Sequence, residues 1–517
     1  MPNAFAYVMI FAWPVFSLAA FRRLPLPAGI SAAILGALLL LPEQPVIDLP
    51  MLPAYDKALA GMVAAFLLIR HATTVRGGHR SGAGEAASLS GWLPRETWVR
   101  ICFLGIFCGS AITVILNDEP LVYGTTVLPG LTYYDVLSAL LTQGVLLLPF
   151  LIARKYLASP QAQRYLLTAF VIAALIYAFP ALWEVRMSPQ LNRQIYGFFP
   201  HSWIQHIRQG GFRPLVFMNH GLQLSLFLSL AFLGALAWAR SASQDRKARL
   251  YAIAGFLFVT LVLSKSLGAL AVAVLLGPVV VLAPGRMQML AAAGIAAITL
   301  TYPVLRGNQL VPVESVVSFA AQISTDRAGS LEYRLNQEDI MLEKARQKPV
   351  FGWGSWGRWR VFDEAGRDIT VSDGAWAILF GTGGWVLYLS TFGLFCLPIL
   401  LLARRALREP PDAVTCALSI MLAANMIDLI PNSGLLSFTW LMAGALTGRL
   451  ELARVAAPEA AKATPDPVRG THAGPVPASP FRPPSPGPAR AAQDHKGSLF
   501  APRLHSAKGR PGQPRRG

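Results

Sequence analysis

The chain has 517 residues, of which 54% are hydrophobic and only 14% charged, against roughly 25% charged in soluble proteins. Apolar runs of about 17–25 residues recur along most of it, each long enough to cross a hydrocarbon core of roughly 30 Å as a helix; a water-soluble fold would expose too much apolar surface. The formal charge of +18 would point to nucleic acid in a soluble chain, but here it is expected to reflect basic loops on one side of a membrane, so no nucleic-acid partner is expected.

Predicted spans fall near 4–21, 27–42, 56–70, 98–116, 132–153, 164–182, 215–239, 249–264, 267–283, 287–304, 381–403, 412–430 and 434–449. No basic residue precedes the first, so it is expected to be an uncleaved span and not a signal peptide; Pro14 can kink it. The fold expected is all-α, a polytopic bundle of about twelve to thirteen spans over residues 1–450. The segment 76–90 is Gly/Ser-rich and reads as a linker. Residues 451–517 read as a basic, Pro-rich tail that is too poor in apolar residues to order and able to rest on anionic lipid headgroups. Cys102, Cys108, Cys396 and Cys416 all lie in apolar segments without metal-ligand spacing, which indicates neither a disulfide framework nor a metal site.

Short connectors alternate in charge. Arg22-Arg23, the cluster from Arg70 to Arg100, Arg154-Lys155, Arg240 to Arg249, Arg286 and Arg404-Arg405 are basic; Asn117-Asp118-Glu119-Pro120 and Pro431-Asn432-Ser433-Gly434 are not. The positive-inside rule places the basic set in the cytoplasm, with the N-terminus outside. Two outer loops break this pattern. One runs from Trp183 to Arg213 with Arg186, Arg193, Arg208 and Arg213; the other is a polar insertion, residues 305–372. Arginines kept on the outer face suit an anionic ligand; the plainer alternative is solvated loop charge.

Candidate functional residues follow in chain order. Pro214 suits a first helical turn, which would set Arg213 at the mouth of a span. Positions 213, 217 and 220 would then share a helix face, bringing His220 near Arg213. Asn219 and Gln223 could face a wet cavity or simply bond neighbouring helices. Ser264-Lys265-Ser266 could hold a phosphate or merely form a tight turn. In the insertion, Leu331–Lys348 reads as an amphipathic helix with Ser330 as N-cap and Arg334 near its start. Pro349 ends it, and Gly352-Trp353-Gly354 permits a close backbone approach. Trp353, Trp356 and Trp359 alternate with Arg358 and Arg360; they could meet sugar rings and phosphate or form an interfacial aromatic belt. Asp363, Glu364 and Asp368 could attract a divalent cation, though their spacing does not require one. Asp373 stands where polar loop meets apolar helix; partial desolvation there would suit a general base, and an N-cap role for Ser372 or Asp373 is compatible.

Taken together, Phe212-Arg213-Pro214-Leu215, Ser264-Lys265-Ser266-Leu267-Gly268-Ala269, Tyr333-Arg334, Pro349-Val350-Phe351-Gly352-Trp353-Gly354 and the glycine-containing segment 381–389 resemble the O-antigen ligase and polymerase superfamily. The resemblance covers about residues 213–402. It implies a GT-C-like membrane glycosyltransferase of the bacterial inner membrane with a periplasmic site and no cofactor or metal. The donor would be an undecaprenyl-diphosphate-linked glycan, and the acceptor a hydroxyl of a second glycan or lipid-linked sugar. The resemblance would have Arg213 and Arg334 grip the diphosphate; Lys265, Arg208, Trp353 and Arg358, by their residue types and positions, are expected as further substrate contacts. Many ligases of this family carry a histidine near the end of the long outer loop; this chain has Asp373-Gly374 there. Asp373 or His220 would then be the base, which leaves polymerisation at least as well supported as ligation. Transfer to a protein acceptor, or transport of a lipid-linked glycan without chemistry, are the alternatives; the second predicts charges deep in several spans and an inverted repeat.

Overall fold

A computed structural model of the protein describes residues 1–48, 52–76, 88–208, 210–323, 325–371 and 373–463. Residues Met1–Ala461 form one compact unit. Its helices are α1 (Ala4–Phe21), α2 (Leu26–Leu40), α3 (Lys57–Arg76), α4 (Thr97–Ile115), α5 (Tyr133–Tyr156), α6 (Pro160–Met187), α7 (Leu191–Tyr196), α8 (Gly221–Arg240), α9 (Gln244–Leu263), α10 (Leu267–Leu282), α11 (Gly285–Gly307), α12 (Val313–Ile323), α13 (Thr325–Arg346), α14 (Ala375–Ala406), α15 (Ala413–Leu429) and α16 (Ser437–Ala463). Two short hairpins join them: β1 (Leu121–Tyr123) with β2 (Thr126–Leu128), and β3 (Ile207–Arg208) with β4 (Gly211–Phe212). Among the described residues, seven helices are long and apolar enough to cross a membrane: α1, α4, α5, α6, α8, α11 and α14; α2, α10 and α15 are shorter apolar helices. Each of the thirteen predicted spans coincides with a helix, because a continuous apolar run can satisfy its backbone in lipid only by bonding to itself.

The core lies between α6, α8, α14, α15 and α16. α8 is buried on almost every face, from Leu224 to Leu236, and Phe170, Phe227 and Phe438 pack ring to ring beside it. Close approach rests on small residues, as membrane helices require. A side chain at Gly444 or Gly448 would collide with the α5 backbone at Phe150 or Arg154. At the end of the bundle where Arg154 lies, that residue and Glu451 form a fully buried two-pronged ion pair at 2.6 and 2.9 Å. Glu451 also accepts the Arg95 N–H at 3.0 Å. The folded part therefore extends past the expected boundary at 450, since α16 continues to Ala463. The remaining tail and most of the linker 76–90 lie outside the described residues.

The insertion is more ordered than its composition suggested. α12 was not foreseen, and α13 starts at Thr325, so Ser330 lies inside the helix and does not cap it. After α13 the chain returns across a break in α14. Gly384 sits at φ 61°, ψ −159°, which interrupts the helix. Residues 349–354 fill the break. Trp385 and Val386 N–H donate to the Pro349 and Val350 carbonyls at 2.8 and 3.2 Å, while Trp353 and Gly354 N–H donate to the Gly381 and Thr382 carbonyls at 2.9 and 2.8 Å. A Cβ on Gly352 would strike the Thr382–Gly383 backbone, and one on Gly384 the Val350 carbonyl. The two glycine motifs are thus halves of one backbone lock. From α4, Thr113 Oγ1 and Asn117 Nδ2 add bonds to the Phe351 and Gly352 carbonyls at 2.6 and 3.1 Å. This lock ties the end of α13 to α14, and with it Arg334 to Asp373.

Candidate functional site

Arg213 is not on α8. That helix begins at Gly221, with His220 as N-cap, and residues 213–220 form an irregular turn. The expected shared helix face of Arg213, Phe217 and His220 is therefore replaced by a different construction. Glu184, fully buried near the end of α6, accepts the N–H groups of Leu215 and Val216 at 2.9 and 2.7 Å and that of Leu191 at 3.0 Å. The Tyr177 hydroxyl accepts the Phe217 N–H at 2.9 Å. A buried carboxylate that collects three backbone donors offsets its own desolvation and satisfies groups that would otherwise be orphaned. It also permits Val216 a left-handed φ of 55°. Proline at 214 removes one donor from this turn and so reads as a turn residue, not a helix start.

Arg213 is buried, and its aliphatic stem lies on Gly221, where any Cβ would collide with it. Its guanidinium donates to the Lys265 carbonyl at 3.3 Å. Lys265, at φ 57° in the turn between α9 and α10, reaches back with Nζ to the Arg208 carbonyl at 3.1 Å. Ser264 and Ser225 join this turn to α8 through their hydroxyls at 2.9 Å. Arg208 itself is exposed on β3. The structure thus gathers Arg213, Lys265, Arg208 and His220 at one place.

Arg334 and Asp373 meet beside them. Arg334 Nε lies 3.3 Å from Asp373 Oδ2, with side chains 32% and 38% exposed. Arg334 Nη1 donates to the Pro431 carbonyl at 3.2 Å and lies 3.5 Å from Asn432 Oδ1. Asn432 Nδ2 in turn donates to Asp428 at 2.9 Å. Asp373 is thus the counter-ion of Arg334 and is more open than the desolvated acid expected. It does not cap α14 either; Gly374 is the N-cap and makes no side-chain bond. Ser372 lies outside the described residues. Gln223, in the first turn of α8, lies against Gly434 of the same α15–α16 connection, so the α8 end and the Arg334 pair share a wall.

The electrostatics join the two halves. Burial pushes the His220 imidazole down to about 3, helped by His206, His201, Arg213 and Arg334. Both arginines therefore act on one ring. Burial likewise takes His206 down to about 4, with Arg213, His201 and Arg208 adding to the effect against a bond to Ser202. Above those values both rings are neutral, and the positive charge of the site resides in arginine and lysine. His220 has both nitrogens engaged. Nδ1 accepts the Leu222 N–H at 3.0 Å and Nε2 faces Gln205 Oε1 at 3.3 Å. It has no free lone pair with which to act as a base.

Trp353 and Arg358 take another place. Trp353 is buried, donates to the Lys344 carbonyl at 2.8 Å and carries Lys344 Nζ 3.7 Å above its ring. Arg358, 1% exposed, donates to the carbonyls of Trp353, Pro129 and Glu119 at 3.2, 2.7 and 2.9 Å. Its fork is spent on fastening the loop to the α4–α5 connection. Asp363 and Asp368 pair with Arg367 and Arg360 at 2.8 and 2.5 Å, which accounts for the acidic run. Among the described residues, no three His, Cys, Asp or Glu side chains are arranged to hold a metal ion.

Three site residues were not anticipated from sequence. Glu184 carried a signal, an acid near the end of an apolar span. His206 did too, since three of the chain's eight histidines fall between 201 and 220. Glu338, one turn beyond Arg334, carried none. It is buried against Tyr302, Trp376 and Arg306 at 3.2, 3.4 and 3.6 Å, and burial raises it to about 7.

No family model, curated protein or solved structure matches the chain.

Proposed function

We propose that the protein is a membrane glycosyltransferase that moves a glycan from a polyprenyl diphosphate carrier to a sugar hydroxyl, as a polysaccharide polymerase or ligase with a GT-C-like bundle. The observation that carries this reading is that Arg213, bonded to the Lys265 carbonyl, and Arg334, with Asp373 as a displaceable anion, both lie within electrostatic reach of His220 at one end of an apolar bundle. A diphosphate is the anion that suits two guanidinium forks and an ammonium. The resemblance to the O-antigen ligase and polymerase superfamily at these same positions supports it. The charge pattern of the connectors favours a periplasmic site in the bacterial inner membrane.

In this reading the diphosphate takes Arg334 from Asp373. The freed carboxylate accepts the proton of the acceptor hydroxyl as its oxygen bonds to the anomeric carbon. The carbon–phosphate-oxygen bond breaks, and the electron pair leaves with the diphosphate, whose charge the arginines stabilise. The test is glycan length in cells expressing Arg213→Ala or Arg334→Ala at normal protein level. Loss of product in both is expected; unchanged product in both removes the assignment.

A further inference from the structure

The cationic site also holds a neutral hydrogen-bond acceptor without a partner. His206 lies fully buried in the 3-10 turn Trp203–His206. Its Nδ1 sits 3.0 Å from the Ser202 carbonyl, which can only accept. Nδ1 therefore carries the proton and Nε2 a lone pair. Among the described residues that Nε2 is buried and has no partner, a costly state for a polar atom. The ring is tied to the phosphate-facing groups, because the His206 carbonyl accepts the Arg213 N–H at 2.8 Å. His220 and His201 stand 5.1 and 6.2 Å from it, ring centre to ring centre. Their own Nδ1 atoms are engaged, by the Leu222 N–H in one and the Ser202 N–H at 2.8 Å in the other. Gln223 Oε1, in the first turn of α8, is a second buried acceptor without a partner among the described residues.

An anion alone would leave these acceptors unmet, since phosphate oxygens at neutral pH also accept. The ligand that completes the site must bring anionic oxygens for the arginines and hydroxyl donors for the imidazole. We infer that His206 Nε2 accepts a hydroxyl of the first sugar of the donor, next to the diphosphate held by Arg213. This rests on the function proposed above and assigns its sugar subsite to the histidine cluster. Burial, with the charges of Arg213 and Arg208 beside it, disfavours protonation of the ring and keeps the Nε2 lone pair available.

The experiment uses the full-length protein in lipid nanodiscs and two probes, polyprenyl diphosphate and the same lipid bearing one sugar. The wild type is expected to bind the glycosylated lipid about five- to tenfold more tightly, the range of one neutral hydrogen bond. His206→Phe, which keeps the aromatic packing on Phe199, should abolish that increment, read as the ratio of the two lipid affinities on one preparation. His206→Gln, whose carbonyl can stand near the Nε2 position, should keep part of it. The ¹⁵N resonance of His206 Nε2 in the wild type should shift with the glycosylated lipid alone, a readout that does not depend on a variant folding. An increment that survives His206→Phe, equal affinity of the wild type for both lipids, or an unmoved resonance overturns the inference. Failure of the wild type to bind either lipid instead overturns the diphosphate reading beneath it.

Discussion

Replacing Asp373 by Asn separates binding from chemistry at the proposed centre. Its pair with Arg334 is 3.3 Å long and about one-third exposed on each side. Such pairs contribute roughly 0.2–1 kcal/mol, so the variant should fold with thermal stability within about 1 kcal/mol of wild type. The same figure bounds the competition that a diphosphate must overcome to take Arg334. Removing it should tighten donor binding, by at most about fivefold. Turnover should fall by about 10²–10⁴, the usual contribution of a positioned base. The assay is paired: lipid diphosphate affinity and initial rate of glycan transfer on one purified preparation. Asp373→Asn with turnover within a few-fold of wild type would refute the role of the carboxylate. A donor affinity lowered tenfold would refute its role as a competing anion.

The other expectations follow from neighbouring contacts. Arg334→Lys should lose most activity at unchanged protein level, because an ammonium cannot bond both Asn432 and a diphosphate in the same plane; wild-type rates would contradict this. Glu184→Gln should place an NH₂ against backbone donors at Leu215 and Val216 or at Leu191 and weaken donor affinity through Arg213; unaltered affinity in a folded variant would count against that turn. Gly384→Ala should lower thermal stability by about 1–3 kcal/mol or more, since its φ of 61° is strained for alanine and its Cβ meets Val350; an unaltered melt would contradict the backbone lock. Glu338, raised to about 7 from an ordinary 4.5, binds a proton more tightly folded than unfolded. Its protonated form favours the fold at low pH, and this contribution falls as pH rises from about 4.5 and is gone above about 7. Glu338→Gln should therefore melt with less pH dependence than wild type between pH 5 and 8; parallel profiles would contradict the assignment.

Much of the fold was legible because the bilayer constrains it so strongly. Apolar length located a helix at each of the thirteen expected positions, seven of which among the described residues are long and apolar enough to cross a membrane, and both ends of α4 and α10 fall within a residue or two of those expected. Local rules failed where a distant partner decides the backbone. Pro214 suits a helix start, yet Glu184, some thirty residues earlier, holds that stretch as a turn. Ser330 suits an N-cap by residue type, but α13 starts at Thr325 and runs through it. The glycines at 352 and 354 are recognisable in sequence as close-approach positions, whereas those at 381–384 read only as part of a glycine-containing segment; that the two approach one another is a tertiary fact that periodicity does not encode. For the site, residue type proved a good guide to charge and a poor one to availability. Arg334 and Arg358 look alike in sequence, but the second has its fork filled by three carbonyls. The lone pair of His206 depends on a proton position that only the Ser202 contact reveals.

The central claim is that Arg213 and Arg334 together hold a polyprenyl diphosphate while its glycan departs. Its most direct measurement is release of free polyprenyl diphosphate by the purified protein from a synthetic glycosylated donor in the presence of a sugar acceptor. The account predicts release matched one-for-one by glycosylated acceptor, and abolished in folded Arg213→Ala and Arg334→Ala. Release that persists in both variants, or a donor left intact by the wild type, would contradict it.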